Sequence, residues 1–349
     1  MKAILNCPFI PVATSMASHR GAQGAIYADM IRQTGVDIDI NWSGKIEDHN
    51  QYDVMYVYHG NDWSGSMNVF GGVKGFPYAF NTRNFSKFKG KVYSLAIDFP
   101  PYHEMIEKRI NKAKEKGGEI QEEWLDVDID NLRRMFETAE TIKWPNVSDS
   151  LVIGDSHSIC MYRPGWMVNS VPFKTLNGAL NDGLQTYVDM AGTGFRKLEC
   201  YFGNIDIRHH LCRIEGDPLQ NTRDLAERYI KAVEALPIND VAIYELLPIE
   251  DESRKLPKSG YYKDKPFWGS WEQRNECRLE FRNYLETHAT RASIIRWVDG
   301  LTNKNGQLDF DYMEKPQSIH LSREAYPHWT GAKDLKKRIE PLALDAFMV

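Results

Sequence analysis

The chain has 349 residues, 43 Lys and Arg against 48 Asp and Glu, and 42% hydrophobic residues, which excludes a disordered chain. The net charge of -5 argues against a broad nucleic-acid surface. Length predicts about two domains at roughly 150 residues each. No apolar run reaches the ~18 residues of a membrane span, and Met1–Pro8 reads as a short strand rather than a leader. Five Cys without a CxxC pair indicate neither a disulfide framework nor a Cys-rich zinc site. The expectation is a cytoplasmic protein with free thiols, no metal and no cofactor.

In chain order, the pattern predicts a strand at 2–6, a helix at 22–34, and strands at 36–40, 52–58 and 91–97. Helices are predicted at 102–116 and 129–140, with a Gly- and aromatic-rich loop at 59–80. Pro145–Ser150 is polar and precedes a new apolar strand, so it marks a boundary: a first α/β domain over 1–145 and a second over 146–349. The alternation then restarts. Strands are expected at 151–153, 197–202, 240–247 and 293–298, and helices at 177–190, 221–236, 270–288 and from about 322. This pattern predicts a three-layer α/β/α domain with a parallel sheet, preceded by a second α/β domain of unrecognised role.

Three stretches carry chemistry. Val152-Ile153-Gly154-Asp155-Ser156-His157 runs a strand directly into a turn. In an open α/β sheet the functional crevice lies at the carboxyl ends of the strands, where Ser156 would serve as a nucleophile. Gly154 permits the turn, and Asp155 can fix it by accepting backbone N–H groups. A serine hydroxyl needs a base within hydrogen-bond reach, and His320, in Gln317-Ser318-Ile319-His320, can supply it. The third stretch, Gly203-Asn204-Ile205-Asp206-Ile207-Arg208-His209-His210, again follows a strand and offers donors to a developing oxyanion. An ordinary turn, a lone structural His and a self-satisfied Asn/Asp loop are the bland readings of the three stretches.

Taken together, the order of these blocks resembles the SGNH hydrolase superfamily, also called GDSL esterases and lipases, over roughly residues 150–335. The resemblance implies that Ser156 is the nucleophile and His320 the base. It further implies an oxyanion hole formed by Gly178, in Leu176-Asn177-Gly178-Ala179, and Asn204. Asp155, His157, Asp206, Arg208 and His209 are expected to bind substrate or support the site. Two departures stand out. Strict alignment puts Ile205 at the oxyanion Asn position, and Gln317 replaces the Asp of the last Asp-x-x-His block. The third block is similar to a subgroup with Gly-Glu-Ile-Asp-x-Arg-x-His, some of whose members are associated with polysaccharide modification. Asp309, Asp311 or Glu314 are the candidate substitutes for the missing carboxylate.

The activity expected from the resemblance is ester hydrolysis or O-acyl transfer on a small polar molecule or glycan, without nucleic-acid or membrane partners; the oligomeric state is left open. The alternatives are a catalytically inactive SGNH-like binding domain, or a sugar-modifying transferase whose first part binds a nucleotide sugar. For the last, His19-Arg20-Gly21-Ala22-Gln23-Gly24 is read as a Gly-rich turn opening a helix. A dinuclear metallophosphoesterase is a further rival, weakened because Ile205 stands where its metal-binding His belongs.

Overall fold

The computed structural model describes residues 1–6, 16–41, 48–57, 86–95, 127–142, 148–163, 165–171, 174–253, 267–297, 300–313 and 320–321, with isolated positions between 107 and 117. The described residues up to 142 belong to one compact unit and those from 148 onward to a second. The predicted boundary after 145 falls within the undescribed stretch 143–147 between them. Both units are built on parallel sheets with interleaved helices, an α/β fold.

In the first unit, β1 (Lys2–Asn6) lies between β2 (Asp37–Asn41) and β3 (Val54–Val57), and β4 (Lys91–Ser94) and β5 (Glu140–Thr141) follow on the β3 side. All four pairings are parallel. Ala3, Ile4 and Leu5 are fully buried, as expected of a strand flanked on both sides. Two helices, α1 (Met16–Gln33) and α2 (Ile129–Thr138), are described here; Asp128 caps α2 by accepting the Asn131 N–H at 2.9 Å. α1 starts six residues earlier than its apolar pattern predicts, so Gly21 and Gly24 sit inside the helix. The stretch 19–24 is therefore helical and not the strand-to-helix turn that a phosphate cradle needs. The aromatic loop at 59–80 and most of 102–116 lie outside the described residues.

The second unit carries β6 (Ser150–Asp155), β7 (Trp166–Val171), β8 (Lys197–Tyr201), β9 (Asp240–Tyr244) and β10 (Ser293–Ile295), in the sheet order β10-β9-β8-β6-β7. Counted within the unit this is 2-1-3-4-5, a doubly wound order whose switch point lies between the first and third strands. The first unit has the same order. β6 is an inner strand, flanked by β7 and β8 and buried at every position. α3 (Leu176–Asp182) and α4 (Leu184–Ala191) lead from β7 to β8, α5 (Asn204–His209) and α6 (Pro218–Glu234) lead to β9, and α7 (Trp271–His288) leads to β10. These crossovers step in one direction, so right-handed connections put α3 to α7 on a common face. α6 starts at the Asp217 cap with Pro218 in its first turn, and α7 starts at a Ser270/Gln273 capping box. The two helices pack through Tyr229 and Phe281, whose stacked rings lie 6.2 Å apart.

Three elements differ from the sequence reading. β7 is a full strand where none was predicted. The helix predicted over 177–190 is two helices, broken at Gly183, whose φ of 83° suits a residue without a side chain. The stretch after β8 is a short helix rather than a loop, and it opens at Gly203 with φ 122°. The helix predicted from 322 lies outside the described residues. Among the described residues, no helix is long and apolar enough to cross a membrane.

Candidate active site

β6 ends at Asp155, and the chain turns at once into a 3-10 segment, Ser156–Met161. Asp155 caps that turn: its Oδ1 accepts the His157 backbone N–H at 2.9 Å. Ser156 is thereby fixed at the carboxyl end of β6. Gly154 has a different role from the one its position in the sequence suggests. Its backbone is not in the left-handed region. It is required because a Cβ there would stand 2.4 Å from the Tyr201 carbonyl and 2.5 Å from Ser158 Cβ. The close packing of β6 against β8 needs that space.

His320 reaches the same point from the far end of the unit. Its Nε2 lies 2.7 Å from Ser156 Oγ, with both residues buried. A bridge pairing Leu321 with Met313 anchors the segment beside it. Gln317 and Glu314 lie outside the described residues. Asp309 accepts the Asp311 N–H at 3.0 Å and so caps the 3-10 turn Phe310–Tyr312. The cleft in front of Ser156 is very small, about 10 Å³, and Leu247, Cys160 and Ile159 line it beside the two imidazoles of His157 and His320.

Behind this pair lies a buried polar layer. His157 Nδ1 is 2.9 Å from Asp155 Oδ1, and its Nε2 is 3.3 Å from Arg208 Nη1. Arg208 Nε donates to Glu250 Oε2 at 2.8 Å. Burial, as the largest effect, pushes the His157 pKa down despite the Asp155 carboxylate. A neutral ring with its proton on Nδ1 satisfies both contacts, because it donates to Asp155 and accepts from Arg208. The His157 and His320 rings pack at 4.9 Å, so the layer sets the wall against which His320 rests.

The remaining predicted residues are placed as follows. Asp206 Oδ2 accepts the Leu176 N–H at 2.6 Å and Oδ1 the Asn177 N–H at 3.2 Å, tying α5 to the start of α3. Burial pushes its pKa up to about 6, against the opposing pull of those N–H groups. His209 is buried and stacks on Phe267, with centroids 6.0 Å apart. Gly178 does not offer a free amide: its N–H donates to Thr175 Oγ1 at 2.9 Å, the N-cap bond of α3. That corrects its expected place in an oxyanion hole. Asn204, fully buried, directs Nδ2 to the Tyr201 hydroxyl, and its Oδ1 has no partner. With the amide turned over, Tyr201 donates to Oδ1 and Nδ2 becomes the unpaired end; the hydrogen-bond network alone decides such an orientation. Among the described residues, no group of three or more His, Cys, Asp or Glu is arranged to hold a metal ion.

No protein-family model and no curated protein matches the chain. Among solved structures it is similar to a protein provisionally described as platelet activating factor from Streptococcus pneumonia. That match has 17% identity and a TM-score of 0.38, and covers 56% of this chain and 84% of the other. It is also similar to the OSK domain of Drosophila Oskar, at 16% identity and a TM-score of 0.32, over 55% of this chain and 87% of that one. Both scores are too low for the likeness to bear on function.

The structure thus brings Ser156, His320, His157, Asp155 and Arg208 into one buried network and leaves Gly178 and His209 engaged elsewhere. Sequence reasoning missed Glu250 and Tyr201. Glu250 lies beyond the end of β9, in the stretch Leu246-Leu247-Pro248-Ile249-Glu250, and a carboxylate two residues after that Pro was the available signal.

Proposed function

We propose that the second unit is a serine-dependent ester hydrolase or O-acyltransferase of SGNH type, acting on a polar substrate, a small molecule or a glycan. The contact between His320 Nε2 and Ser156 Oγ at 2.7 Å, at the carboxyl end of β6, carries this reading. His320 takes the hydroxyl proton as Ser156 attacks the ester carbonyl, and it returns the proton to the leaving alcohol. Water or an acceptor hydroxyl, deprotonated by the same imidazole, then releases the acyl group. Since the Gly178 N–H is occupied, the oxyanion is assigned to the Asn204 amide in its turned-over orientation.

A second reading, an inactive SGNH-like binding domain, draws on the same occupied donors. A fluorophosphonate probe with acetyl-ester hydrolysis separates the two. Labelling of wild type and its loss in Ser156→Ala supports the enzyme, whereas folded wild type that neither labels nor turns over supports the binder.

A further inference from the structure

A second cleft, about 400 Å³, opens on the helical face of the second unit, walled by α3, by α5 with the turn after it, and by α6. Its volume lies within the range of small-molecule sites. Arg228 on α6 forms one wall. Nη1 donates to Asn177 Oδ1 at 2.8 Å and Nη2 to Asn181 Oδ1 at 3.1 Å. Both partners are neutral amides, so the guanidinium is held in place without its charge being neutralised. A guanidinium has five N–H donors, and these two bonds leave three. Arg213 lines the opposite side, Nη2 lying 2.9 Å from His210 Nδ1 and its guanidinium standing 5.1 Å over the Trp268 ring.

Two carboxylates also line the cleft, Asp206 and Asp224, and neither is bonded to the Arg228 guanidinium. Both oxygens of Asp206 already accept backbone N–H groups of α3. Asp224 lies on the exposed side, its Oδ1 accepting from Gln220 at 2.8 Å. Neutral groups complete the lining. The Thr175 oxygen accepts the Gly178 N–H, so its hydroxyl hydrogen can donate elsewhere, and the Asn221 side chain stands on the α6 wall. Fixed guanidinium forks recognise planar or tetrahedral oxyanions, and hydroxyl and amide groups around them recognise alcohols.

We propose that this cleft binds a sugar bearing an oxyanion, a carboxylate or a phosphate, with Arg228 and Arg213 on the anion and Thr175 and Asn221 on its hydroxyls. The assignment does not depend on Ser156 being catalytic. Calorimetric titration of the full chain with glucuronate, glucose 6-phosphate and glucose tests it, in wild type and in Ser156→Ala. At least one of the two anionic sugars is expected to bind both proteins equally, glucose at least tenfold more weakly, and whichever anion binds tighter names the source. Arg228→Gln is expected to weaken the anion by about tenfold or more, as for a lost charge-assisted pair, with an unchanged melting temperature because Arg228 is exposed. Asn181→Ala, which frees the fork, should weaken it less. Glucose bound as tightly as the anions, no binding of either anion, or an unchanged affinity in Arg228→Gln would each overturn the proposal.

Discussion

His320 and Ser156 stand 164 positions apart in sequence, yet their side chains meet at 2.7 Å. Ser156 follows β6, and the segment after β10, the strand at the far edge of the sheet, returns His320 to the carboxyl end of β6. If the pair works as a unit, its members are not additive. Ser156→Ala and His320→Ala should each lower ester turnover by about 10⁴-fold or more, and the double variant should fall no further. Rates that multiply in the double variant would show two residues acting separately.

Arg208 and Glu250 form an ion pair whose side chains are 1% and 0% exposed. Removing one partner leaves a buried charge. Arg208→Ala is expected to destabilise the second unit by about 3–5 kcal/mol, whereas the joint replacement Arg208→Met with Glu250→Leu should be much milder. Urea unfolding of the three proteins checks this. Equal losses for the single and joint variants would mean that the pair contributes mainly through packing.

Much of the candidate site was legible before the fold was known, because its signals are local. A strand running into Gly154-Asp155-Ser156 and a His ahead of the expected C-terminal helix need no tertiary information. β7 was missed for a physical reason: Asn169 and Ser170 interrupt its apolar pattern. Both are buried, and distant groups satisfy them, Asn169 donating to the Tyr187 carbonyl at 2.8 Å and Ser170 to the Asp155 carbonyl at 2.9 Å. The pairing of Arg208 with Glu250 spans 42 positions and leaves no periodic trace. Gly178 failed as an oxyanion donor because Thr175, three residues earlier, is a good N-cap, and that competing signal was present in the sequence.

Gly154 yields a prediction about positioning. Gly154→Ala sets a methyl group against the Tyr201 carbonyl and Ser158, neither of which can swing aside as a flexible side chain would. Overpacking of this kind costs about 1–3 kcal/mol. Because Ser156 lies two residues on, turnover should fall more than stability alone explains. Thermal melts run beside single-turnover acylation measure both. A variant with full activity and a lowered melting temperature would show that the nucleophile does not depend on this contact.

Asp206 and His157 give opposite pH signatures. An unfolded Asp titrates near 3.8, and folded Asp206 at about 6. Between those values the folded chain holds the extra proton, so the stability from this group is greatest below 3.8 and is lost as pH rises through 6. At about 1.4 kcal/mol per pKa unit, the advantage of wild type over Asp206→Asn should shrink by roughly 2 kcal/mol between pH 4 and pH 7. His157 runs the other way. Its folded pKa is depressed below the ordinary 6.5, so the unfolded chain binds the proton first and stability falls as pH drops below 6.5. His157→Asn should remove that acid-side loss. Denaturant titrations at each pH resolve the two slopes, and a curve for Asp206→Asn parallel to that of wild type would mean that the buried carboxylate keeps its ordinary pKa.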